Sequence, residues 1–183
     1  INPHFFMNTL NNIHALIDID TQWAKNAVIE LSKMMRYVLY DSERETISLT
    51  RDIQFLKNYI ELMRIRYTDA VDIRIEHPST LPARITIPPL LLIVFVENAF
   101  KHGVGANKAS FIHIRIDCNE DKVTAVIANS RFKIAHPKHS DGIGLKNVRK
   151  RMELIYGPKN YELRIEETAD TYTVNLEIPT LHA

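Results

Sequence analysis

An α+β fold is predicted for this chain: a helical hairpin, then a mixed sheet covered by helices on one face. Two observations carry that expectation. Apolar residues recur at helical intervals up to about residue 70 and at intervals of two in most later segments, and those later segments alternate between strand-like and helix-like patterns. Composition agrees, since 183 residues at 45% apolar, 8% aromatic and 25% charged are average for a globular chain of one or two small domains.

Phe6, Leu10, Ile13 and Ile17 fall at i, i+4, i+7 and i+11, and Ala27, Leu31, Met34 and Val38 repeat those intervals. Asn2 before Pro3 suits a helix start, and Asp20 with Thr21 supplies a turn and a second cap, so the two helices form an antiparallel hairpin. Each helix offers only a narrow seam. The hairpin is therefore expected to bury it against a second copy, as a four-helix bundle. Ser48 caps a third helix carrying Ile53, Leu56, Ile60 and Met63 to about Tyr67. Strands follow at Val71–Ile75, Ile112–Ile116, Val123–Ile127, Leu163–Ile165 and Tyr172–Ile178, with helices over Pro88–His102 and about Leu145–Tyr156 between them. The expected division is 1–45 for the hairpin and 46–183 for the sandwich.

Charge excludes some functions. With 23 Lys and Arg against 22 Asp and Glu the formal charge is +1, so no global field draws the chain to nucleic acid. The single cysteine, Cys118, cannot close a disulfide within the chain, which suits a reducing compartment. The apolar run Leu90–Val96 is too short to span a bilayer. The sequence opens at Ile1 inside a motif and reads as part of something longer.

Three groups of residues carry chemistry. On a helical wheel the first-helix seam falls within about 40°, and His4 lies roughly 160° away with Asn8, Asn11 and Ala15, so its imidazole is expected to face solvent, either as an ordinary surface histidine or, beside asparagines on a rigid bundle, as an accessible nucleophile or proton relay. In Val96-Glu97-Asn98-Ala99-Phe100-Lys101-His102-Gly103, Asn98, Lys101 and His102 share one helix face. An amide oxygen suits Mg²⁺ and a lysine suits a phosphate oxygen, although an ordinary polar C-terminal turn capped by Gly103 has the same pattern. Gly142 and Gly144 precede a helix, where backbone N–H groups can meet an anion, although a plain glycine-containing loop has the same pattern. The polar, basic stretch from Ser130 to Ser140 before them reads as a lid. P-loop and Rossmann spacings are absent.

Together, Asn2-Pro3-His4-Phe5-Phe6-Met7-Asn8, Pro88-Pro89-Leu90 through His102-Gly103, and Gly142-Ile143-Gly144-Leu145-Lys146-Asn147-Val148-Arg149-Lys150-Arg151-Met152 resemble the phosphoacceptor motif, N-box and glycine box of LytS-like sensor histidine kinases. The resemblance implies a dimerising hairpin joined to a GHKL (Bergerat) ATP-binding sandwich. It implies that His4 is phosphorylated from ATP and passes the phosphoryl group to an aspartate of a response regulator. Asn98 matches the Mg²⁺-binding asparagine, and Glu97 orients His4 or supports the metal. Lys101, His102, Asn129, Gly142, Gly144, Leu145 and Asn147 fall at nucleotide-site positions. Asn129 stands where the family's Asp-x-Gly-x-Gly aspartate accepts the adenine amino group, and no glycines follow it. Its amide carbonyl can accept that bond without charge assistance, so ATP is expected to bind more weakly, and Asn129→Asp more tightly. Val94 occupies the place of the water-activating glutamate of GHKL hydrolases, which favours transfer to histidine. The whole protein is expected to be an inner-membrane sensor with this chain on its cytoplasmic side. The alternative is a dimeric pseudokinase that keeps the fold and acts through partners.

Overall fold

The computed structural model describes residues 3–67, 71–105, 108–132 and 143–182. Helix α1 (Pro3–Ile17) and helix α2 (Thr21–Arg36) form the hairpin. Asp20 caps α2 by accepting the Trp23 N–H at 2.8 Å, as its position before the second apolar series requires. A π-helical turn, Tyr37–Asp41, extends α2. Helix α3 (Leu49–Arg64) follows a two-residue strand β1 (Ile47–Ser48). Ser48 occupies the N-cap position of α3 in extended conformation, but its side chain makes no capping bond.

Five strands make the main sheet: β2 (Val71–Glu76), β4 (Ser110–Cys118), β5 (Lys122–Ser130), β7 (Thr171–Pro179) and β6 (Glu162–Glu167), in that spatial order. The β2–β4 pair is parallel and the others are antiparallel, so the sheet is mixed. Register follows burial: Ile112, Ile114 and Ile116 are opposite Asn129, Ile127 and Ala125, which places the alternating apolar set on one face. Helix α4 (Ile93–His102) packs on β4 and β5, and helix α5 (Ile143–Tyr156) packs beside α4. The predicted α+β sandwich is present. A second small sheet, β1–β3–β8, adds β3 (Ile85–Ile87) and β8 (Leu181–His182). Ile85, Thr86 and Ile87 are all buried, so this strand shows no alternation and too little length to be read from sequence.

Three boundaries differ from expectation. Helix α4 starts at Ile93 rather than Pro88, because Leu90 is held at φ +57°, a left-handed conformation from which no right-handed helix can run. Helix α5 starts at Ile143, which puts Gly144 inside its first turn. Of the expected lid, Ser130 is a buried residue closing β5, and residues 133–142 lie outside the described residues.

The hairpin finds a partner within its own chain. Helix α2 packs on both α1 and α3, burying Ala24, Ala27, Leu31 and Met34. On α1 the buried residues are Thr9, Ile13 and Leu16, a face rotated away from the expected seam, and Leu10 and Ile17 stay about half exposed at 49% and 48%. A single neighbouring helix covers only one flank of a wide apolar stripe. One core then runs from Ile13 through Phe55 and Phe95 to Ile178.

Candidate functional site

A cavity of about 1140 Å³ opens where the first turns of α1 meet the end of α3, helix α4 and the start of α5. His4, Glu97, Asn98, Lys101 and Gly144 all line it, so residues 140 positions apart in sequence converge on one space. The arrangement rests on a chain of aromatic rings beneath these groups. Phe5, next to His4, lies 5.0 Å from the Tyr59 ring of α3; Tyr59 meets Phe100 edge-on at 5.6 Å; and Phe100, next to Lys101, stacks on Tyr67 at 5.8 Å. Such contacts have preferred geometries, and these set α1 relative to α4. His4 is exposed at the cavity wall, as the wheel predicts, and Asn8, exposed on the same stripe, also lines it.

Helix α4 buries Ile93, Phe95, Val96, Ala99 and Phe100, which leaves Glu97 and Asn98 half-buried and Lys101 exposed on the cavity side. The Tyr59 phenol is pushed above its ordinary value, first by burial and then by the negative charge of Glu97. Partial burial and then Lys101 hold the His102 imidazole below its ordinary value, which favours the neutral ring. Val94 also lines the cavity, so the position one helical turn before Asn98 carries no carboxylate to activate water. Among the described residues no group of three or more His, Cys, Asp or Glu could hold a metal. An amide oxygen at Asn98 beside an open space does fit Mg²⁺ shared with phosphate oxygens, the usual manner of binding for that ion.

The helix end is fastened to the sheet. The Gly103 N–H donates to the Ala99 carbonyl at 2.7 Å, the Ser130 hydroxyl donates to the Gly103 carbonyl at 2.6 Å, and the Phe111 N–H donates to the Ser130 hydroxyl at 2.9 Å. A Cβ at Gly103 would stand 2.5 Å from the Ala99 carbonyl oxygen and 2.6 Å from the Asn129 Cβ. Gly103→Ala is thus expected to destabilise the fold by about 2–3 kcal/mol, read from urea unfolding. At Gly144, within α5, the nearest atom is Val94 Cγ1 at 3.8 Å, so alanine there should cost no stability and gain up to about 1 kcal/mol from its helix propensity.

Among the described residues, the other sequence-predicted ones lie apart from the cavity lining. Asn129 is buried at the end of β5, and its amide nitrogen donates to the Ser130 carbonyl at 2.8 Å. An aspartate would lose that donor and oppose two oxygens, so the expectation that Asn129→Asp tightens ATP binding is replaced: the variant should lose about 1–3 kcal/mol of stability in the same unfolding assay. Leu145 is buried in the core, Asn147 is exposed on α5, and His102 is exposed outside the cavity wall. Gly142 lies outside the described residues. Sequence reasoning did not single out Arg66, Tyr59 or Tyr67, which line the cavity, because Arg64-Ile65-Arg66-Tyr67 has the appearance of an ordinary basic helix end.

Residues 1–71 match the histidine kinase family. The Sensor protein LytS of Streptococcus mutans is 31% identical over 193 residues, covering 98% of this chain, and that of Staphylococcus haemolyticus is 28% identical over the same share. The chain spans 33% of the length of each of those relatives. Among solved structures, the histidine kinase domain of a blue-light activated histidine kinase from Erythrobacter litoralis aligns with a TM-score of 0.56 at 13% identity, covering 96% of this chain and 92% of that one. The histidine kinase ThkA, solved in complex with the response regulator protein TrrA, aligns with a TM-score of 0.53 at 18% identity, over 97% of this chain and 59% of that one. These two alignments show a shared fold. By the match of its first 71 residues to the histidine kinase family and its likeness to LytS along nearly the whole chain, this protein is LytS-like.

Proposed function

We propose that this chain is the cytoplasmic kinase core of a two-component sensor protein, in which His4 takes the γ-phosphoryl group of ATP and hands it to an aspartate of a response regulator. The observation that carries the proposal is the presence of His4 in the same cavity as Glu97, Asn98 and Lys101 of its own chain. The imidazole nitrogen forms the new N–P bond, the bond to the bridging oxygen of the β-phosphate breaks, and its electron pair leaves with ADP. The proton of the other ring nitrogen is lost to Glu97 or solvent. Mg²⁺, when bound, neutralises phosphate charge; Asn98 would hold it together with phosphate oxygens, and Lys101 would pair with the triphosphate. Val94 supports transfer to histidine over hydrolysis.

The partners follow the same reasoning. Met7, Leu10 and Ile17 on α1 and Val28 and Met35 on α2 are apolar and 45–60% exposed, a surface suited to a second copy of the hairpin. The division at about residue 45 suits a hairpin that dimerises and a sandwich that binds nucleotide. Among the described residues no helix is long and apolar enough to cross a membrane, and an upstream sensor or membrane region belongs to the proposed whole protein. ThkA, solved with its regulator, supports a receiver domain as the phosphoryl acceptor.

The test is incubation with Mg²⁺ and γ-labelled ATP, followed by treatment with acid and alkali. Label that is lost in acid and kept in alkali supports the kinase. A dimer that takes up no label is the pseudokinase, a reading favoured by one observation: the Asn129 amide is turned back onto its own strand.

A further inference from the structure

The proposed reaction, on which this inference rests, asks for more positive charge than Lys101 supplies. A Mg²⁺–triphosphate keeps a net negative charge, and Glu97 offsets Lys101 in the same cavity. Among the described residues lining that cavity, Arg66 and Lys101 are the two permanent cations. They stand on different elements, Lys101 on the last turn of α4 and Arg66 on the turn that ends α3.

Arg66 is held in place by its surroundings. Its N–H donates to the Met63 carbonyl at 3.0 Å, and the Tyr67 N–H donates to the same carbonyl at 3.2 Å, so the turn is ordered. Its guanidinium lies over the Tyr67 ring, 5.4 Å from the centroid, and Tyr67 stacks on Phe100 beside Lys101. The positive charge of Arg66 also acts on the Tyr59 hydroxyl, and the Tyr59 ring packs against Phe5, the neighbour of His4. Arg66 therefore stands on the α3 wall that supports His4.

We infer that Arg66 is a second phosphate-holding cation, pairing with the γ-phosphoryl group as it moves from ADP to His4, with Lys101 on the nucleotide side. A guanidinium presents two parallel donors to two oxygens of one phosphoryl group, which a lysine cannot do. Stacked on Tyr67, it loses little freedom when it binds.

The experiment is calorimetric titration of the full chain with Mg²⁺-ATP and Mg²⁺-ADP, for wild type, Arg66→Gln and Arg66→Lys, with label uptake measured in parallel. Loss of a charged bidentate contact should weaken ATP binding by about ten-fold in Arg66→Gln, leave ADP affinity within about two-fold, and slow label uptake; Arg66→Lys should recover part of both. Equal losses for ATP and ADP, or no loss, would overturn the role of Arg66 while leaving the kinase reading in place. A wild type that binds neither nucleotide overturns the kinase reading and this inference with it. Arg66 is exposed, so an unchanged melting temperature will confirm that both variants fold.

Discussion

His4→Gln is expected to abolish acid-labile phosphate, a fall of at least about a thousand-fold, while ATP affinity stays within a few-fold of wild type. The ring is exposed on the first turn of α1, and its neighbour Phe5 packs on Tyr59. Glutamine keeps a polar side chain and a good helix propensity, so the turn should persist. The measurement pairs label uptake with calorimetry on one preparation. A variant that also loses ATP affinity would show that His4 serves the nucleotide pocket rather than accepting the phosphoryl group, and a variant that keeps the label would place the acceptor elsewhere.

The second large effect concerns stability. Asp52 is buried in α3, where its Oδ1 accepts the Tyr37 hydroxyl at 2.5 Å and its Oδ2 has no hydrogen-bond partner among the described residues. Burial raises its pKa from the ordinary 3.8 to about 6; the Tyr37 hydroxyl, the Leu90 backbone and Arg151 pull it back only in part. The sign is that of a raised carboxyl: the unfolded chain ionises from about pH 3.8 while the native one stays protonated, so stability falls as pH rises and the loss is complete above pH 6. A rise from 3.8 to about 6 corresponds to about 3 kcal/mol, of which about 1–1.5 kcal/mol falls between pH 5 and pH 7.5. Asp52→Asn should remove that portion of the pH dependence, read as the difference between variant and wild-type urea unfolding at the two pH values. Equal slopes for the two proteins would show that Asp52 is ionised in the native state throughout.

Much of this fold is legible in the sequence because burial repeats with the period of the element. Ile53, Leu56, Ile60 and Met63 predict α3, and the alternation of Val123, Ala125 and Ile127 predicts β5, since each set must face one core. The hairpin is legible for the same reason, and Asp20 caps α2 because a short side-chain acceptor satisfies an N–H that the helix cannot. Misreadings occur where the period breaks. Val38 continues the helical series, yet the π-helical turn at Tyr37–Asp41 widens the spiral and carries Tyr37 into the core, where it stacks on Phe55 at 4.2 Å. Pro88-Pro89-Leu90 borders an apolar run that looks helical throughout, but Leu90 is left-handed and its backbone lies against Tyr37 and Asp52, a proximity no local pattern encodes.

The candidate site divides along the same line. The sequence by itself determined the chemistry available: an imidazole on a polar helix stripe, an amide and a lysine on one turn of α4, a valine where a water-activating carboxylate would stand, and the motif order that makes the chain LytS-like. Residue type and short-range spacing are local properties, and one chain suffices to read them. Only the tertiary structure decided which of these groups share a space. It brought Arg66 into the cavity, placed Leu145 in the core and Asn129 against its own strand, and set His4 beside the N-box through Phe5, Tyr59 and Phe100. Those outcomes depend on how α1, α3 and α4, which lie far apart along the chain, pack on one another, and such contacts are fixed by shape and burial together, which no periodicity along the chain records.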